Sequence, residues 1–69
     1  MSRPFPELDV AIVRSGEHKY VIAARARVSP NIFGMILSGR HAPTAGQRRR
    51  IAAALGRPES ELFRTAVIA

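Results

Sequence analysis

Apolar residues recur at helical intervals along this 69-residue chain, and Pro, Gly and Ser interrupt them at regular points. The breaks leave five segments of helical length. The first is predicted over residues 7–15, where Leu8, Ala11 and Ile12 share one face. Pro6 suits its first turn, and Glu7 and Asp9 sit at the positive end of its dipole. The second is predicted over residues 19–27. There Tyr20 or Val21, with Ala23 and Ala24, turns inward while Lys19, Arg25 and Arg27 face out. β-Branched Val21 and Ile22 weaken its intrinsic helicity, so packing must settle it. The third, over residues 30–38, starts cleanly with Ser29 as N-cap and Pro30 at the first helical position. Ile32, Phe33, Ile36 and Leu37 supply its apolar positions, and Gly39 stops it. The fourth, over residues 45–55, opens on Thr44-Ala45-Gly46-Gln47, a capping box. Its stripe is Ile51, Ala52 and Leu55, and Gly56 ends it. A fifth segment over residues 58–64 carries Leu62 and Phe63, and residues 65–69 form an apolar tail. Strand-like alternation is weak everywhere except in that tail. The pattern predicts an all-α fold in one domain.

Size narrows this further. A domain of this length buries only roughly 60% of the surface its unfolded chain exposes. With no cysteine, neither disulfides nor thiolate metal sites can help, so support must come from helix packing or oligomerisation. A hydrophobic content of 46% is too high for a disordered tail. No run approaches the ~20 apolar residues of a membrane span. The opening MSRPFPELD has no apolar run after its arginine, so no signal peptide is expected.

Charge adds the first functional hint. The formal net charge is +6, and all but one of the 11 basic residues are arginine. Guanidinium is the planar donor suited to phosphate and guanine. Nucleic acid is the partner this favours, with an anionic membrane or an acidic protein as alternatives.

The most informative pair is segments two and three, joined only by Arg27-Val28-Ser29. Short helices at such a turn cross steeply, as in a helix-turn-helix. The first braces across the backbone and the second enters the major groove. From Gly16 to Phe63 the chain resembles the phage repressor and Cro type of helix-turn-helix domain, the XRE family. Ile22-Ala23, Val28-Ser29, Phe33, Ile36, Gly39-Arg40, Pro43-Thr44 and Ile51-Ala52-x-x-Leu55-Gly56 carry the resemblance, without insertion or deletion. It implies a compact five-helix, lambda-repressor-like domain with the motif formed by helices two and three. Ala23, Val28, Phe33 and Ile36 are then core residues that position the reader. Three positions depart from the pattern. Arg27 stands where glycine is common and positive φ can be required, Arg48 stands where leucine is usual, and His18 is a poor N-cap.

The resemblance places base contacts at Pro30, Asn31, Gly34 and Met35. Asn31 can pair in bidentate fashion with adenine; the alternative is a polar residue facing water. Met35 can touch a thymine methyl or fill the core. Pro30 offers only shape or methyl contact, and Gly34 lets the backbone approach closely. With so few readers, DNA shape must contribute. Backbone and loop contacts are expected at Lys19, Arg27, Ser29, Ser38, Arg40, His41, Gln47 and Arg48. Arg48, Arg49 and Arg50 cannot all point one way on a helix. Leu62, Phe63, Val67 and Ile68 are the expected dimer surface, unless the tail folds back on its own core.

Enzymatic function is not expected. His18 and His41 lack carboxylates at ligand spacing, and no Gly-rich phosphate loop occurs. No cofactor or metal is expected. The sequence therefore points to a cytoplasmic, nucleoid-associated bacterial transcription regulator of phage or prophage type. It would bind double-stranded DNA at a pseudo-palindromic operator as a homodimer. The alternatives are an antitoxin, or a protein-interaction module that has lost DNA binding.

Overall fold

The computed structural model describes residues 4–64. Among these the chain forms five helices and no strand: α1 (Pro6–Ser15), α2 (Lys19–Arg25), α3 (Pro30–Ser38), α4 (Ala45–Leu55) and α5 (Glu59–Leu62). α4 packs on α1, α2 and α5, while α3 is held chiefly by α2 and α5 by α1 and α4. None of the described helices is long and apolar enough to cross a membrane.

One core joins all five helices. Leu8 and Ile12 enter from α1, Ile22 and Ala23 from α2, and Phe33, Ile36 and Leu37 from α3. Ile51 and Ala52 come from α4 and Leu62 from α5, with Ala26 and Val28 filling the α2–α3 turn. No polar or charged residue is buried among the described residues. Each large aliphatic or aromatic side chain removed from water contributes about 1.5–3 kcal/mol. Ala23 is fully buried, and its small side chain leaves room for Val28, whose amide donates to Ala23 O at 2.9 Å.

The helix starts follow local chemistry. Ser29 Oγ accepts from the Ile32 amide at 3.1 Å. Thr44 and Gln47 form the reciprocal box, with Thr44 N to Gln47 Oε1 at 2.9 Å and Gln47 N to Thr44 Oγ1 at 3.1 Å. The ends share a motif too. At α3 the Gly39 amide donates to Ile36 O and the Arg40 amide to Met35 O; at α4 the Gly56 and Arg57 amides donate to Ala53 O and Ala52 O. Both glycines are left-handed, at φ 86 and 66, as this closure requires.

Four expectations need correction. α2 stops at Arg25, two residues early, because Arg27 adopts φ 58. The inward face of α2 is Ile22 and Ala23 with Ala26, while Tyr20 is 62% exposed and Ala24 faces out. α5 is a single short turn of four residues. Leu62 is fully buried in its own chain, so it offers nothing to a second copy. Phe63 is half-buried and meets Phe5 edge to face, with centroids 5.1 Å apart. Val67 and Ile68 lie outside the described residues.

Candidate nucleic-acid interface

α3 buries one face and leaves the other bare. Phe33, Ile36 and Leu37 hold it to the core, while Pro30, Asn31, Gly34 and Ser38 are exposed. Met35 is half-buried at the border. Asn31 has no hydrogen-bond partner among the described residues, so its amide is free to bond outward. Ser29 caps the helix through its hydroxyl, and Ser38 Oγ donates to Met35 O at 3.2 Å. Both hydroxyls therefore already have partners inside the chain.

Gly34 is the informative residue of this face. A Cβ built there would meet nothing within 4 Å. Glycine inside a helix costs about 0.5–1 kcal/mol relative to alanine. The chain's own packing supplies no reason to accept that cost. What glycine provides is a shallow place on the outside of α3, beside Asn31.

Around this neutral face the charges divide into tied and untied. Arg25 meets Glu17 at 3.4 Å, Arg48 meets Glu59 at 3.1 Å and Arg57 meets Glu61 at 2.7 Å. Lys19, Arg27, Arg40 and Arg49 are exposed and have no carboxylate partner among the described residues. The sequence shows why. Glu7, Asp9, Glu17, Glu59 and Glu61 are all of its acidic residues, so none lies between His18 and Pro58. That acid-free interval is a signal the sequence already carries, and it brackets α2, α3 and α4. Arg25, Arg27 and Arg50 also line a shallow groove with Ala53 and Ala54.

The run at residues 48–50 has three different fates. Arg48 is a clamp: Nε bonds Glu59 Oε1, and an Nη donates to Pro43 O at 2.9 Å. It ties the α3–α4 loop to α5, which corrects its expected role as a free backbone contact. Arg50, which the sequence did not single out, reaches back to α2, where Nε donates to Ala26 O at 2.8 Å. A cation at a helix C-terminus also complements the dipole. Arg49 is left facing outward. Gln47 uses its carbonyl oxygen in the capping box.

His41 is half-buried, and its Nε2 is shut off from solvent with no hydrogen-bond partner among the described residues. Lys19 opens α2, next to a His18 ring stacked on Tyr20 at 5.5 Å.

Arg27 completes the site. Its amide donates to Ala24 O at 3.1 Å and the next amide, of Val28, to Ala23 O. This is the closure seen at Gly39 and Gly56, made here by arginine. The backbone conformation is the one glycine favours, and the side chain places a cation three residues before α3.

Comparison with family models, with curated proteins and with solved structures found no match.

Proposed function

We propose that this chain is a sequence-specific, double-stranded-DNA-binding transcription regulator of the repressor and Cro kind. α2 and α3 act as its helix-turn-helix in a lambda-repressor-like arrangement. The observation that carries the reading is the exposed face of α3. Asn31 stands beside a glycine that internal packing does not require, and untied cations precede and follow the helix. Close approach of a base edge to Gly34 is a use for that missing side chain, and Asn31 has the donor and acceptor to read adenine. Lys19, Arg27, Arg40 and Arg49 supply grip on phosphates, which sets affinity more than selectivity. The partner is a pseudo-palindromic operator bound by two copies, with half-sites about one helical turn apart.

Selection from a random DNA pool supplies the operator, and a salt titration then tests the reading. Four untied cations predict a log–log slope of about −3 to −4 per protomer. Asn31→Ala is expected to cost about 1–3 kcal/mol at one operator position, whereas Lys19→Ala weakens all sequences alike. A flat salt dependence, or a pool with no enriched sequence, overturns the proposal. Either result leaves the protein-interaction module as the better reading.

A further inference from the structure

We infer that the outer stripe of α1 is the surface through which two copies of this chain pair, antiparallel across a two-fold axis. This deepens the dimer half of the proposed function and rests on that reading only for its purpose.

The exposed large hydrophobic residues of the described chain are Val10, Val13 and Tyr20. Tyr20 has one face covered by His18. Val10 and Val13 are 43% and 79% exposed and adjoin on α1 at helical spacing. Beside them runs a shallow groove whose apolar lining includes Ala11 and Leu55. This patch was absent from the sequence reading, which looked for a dimer surface at the C-terminal end.

Charge identifies the occupant as a second copy. Glu7 and Arg14 lie on the same side of α1 as Val10, two turns apart, with Val10 and Val13 between them in sequence. That separation is about 10.5 Å along the axis, too far for them to pair with each other. Neither has a charge partner elsewhere among the described residues. In an antiparallel pair Arg14 of one copy faces Glu7 of the other, twice over, and the valines meet at the centre. The arrangement is isologous, as a two-fold interface must be. It also sets the two helix dipoles antiparallel. Two molecules of net charge +6 repel, and they can approach most easily where the acids are. Glu7 of α1 is an acid with no charge partner among the described residues, whereas Glu17, Glu59 and Glu61 are tied to arginines. Nothing in this stripe belongs to α3 or to the group Lys19, Arg27, Arg40 and Arg49, so pairing leaves the candidate DNA surface available.

Ten residues of helix span about 15 Å, so the contact is small and the association weak. Sedimentation equilibrium of the protein alone, up to about 1 mM, reads it without DNA. Wild type is expected to dimerise. Glu7→Arg and Arg14→Glu each place like charges across the axis and are expected to weaken the dimer at least tenfold. Mixing the two variants one to one restores attraction at both contacts, so the mixture is expected to regain the wild-type association. Thermal melts matching wild type establish that both variants fold. A wild type that stays monomeric, variants that dimerise as well as wild type, or a mixture no better than its components each overturns the inference. Binding of one protomer to a single half-site is measured separately, so a failed dimer and a failed DNA reading give different results.

Discussion

The ends of α2 and α3 close with the same pair of hydrogen bonds, yet α3 closes on Gly39 and α2 on Arg27. At Gly39 the residue matches the backbone. At Arg27 a side chain is held in the left-handed region at a cost of about 1 kcal/mol. Gly34 is the converse, a glycine where alanine would fit and would stabilise the helix. Two local rules are thus broken within eight residues, one before α3 and one inside it, while the closures at Gly39 and Gly56 obey them. Departures of this kind concentrate where something other than stability is selected. The α2 end is also reinforced from outside, since Arg50 adds its bond to Ala26 O beside the strained residue.

Making the two ends alike is the strongest way to break this comparison. Gly39→Arg gives α3 the closure of α2 without the reinforcement. A Cβ there would stand 3.4 Å from Pro4 Cγ at φ +86. The expected loss is about 2 kcal/mol, or roughly 10 °C in melting temperature for a domain of this size. An unchanged melt would mean arginine is tolerated at either end and Arg27 signifies nothing. Gly34→Ala comes next, with the opposite sign. It is expected to stabilise by about 0.5–1 kcal/mol while operator affinity falls. Tighter or equal binding in that variant would sink the idea that the missing side chain serves contact. Arg27→Gly has the smallest effect on the fold. Relief of strain is offset by the freer unfolded chain, leaving a change within about 0.5 kcal/mol. Its signature is in binding, where the salt slope is expected to shrink by about 1.

The same comparison explains what could be read from the sequence. α3 and α4 were legible to the residue, because Ser29, Pro30, Gly39, Thr44, Gln47 and Gly56 act on their immediate neighbours. At the end of α2 the helical pattern ran two residues too far, because the residue that closes it is not glycine, although Arg27 stands at a position that can require positive φ and adopts φ 58. Contacts between distant positions were equally hidden. Arg48 meets Glu59 eleven residues away, and Arg50 meets Ala26 across 24; Phe5 meets Phe63 from the opposite end of the chain. No periodicity encodes these. For the candidate site, the exposure of Asn31 and Gly34 followed from helical register once Phe33 and Ile36 were placed inward. The fates of Arg48 and Leu62 depended on packing between elements, and there the sequence misled.

The outward positions of α3 carry no packing duty. Asn31, Gly34 and Ser38 can change while Phe33, Ile36 and Leu37 keep the helix seated. A lineage built on this chain can therefore alter what α3 meets by one or two substitutions without repairing its core. Divergence should accumulate on that face first, and a designer wishing to redirect the protein would begin with the same three residues.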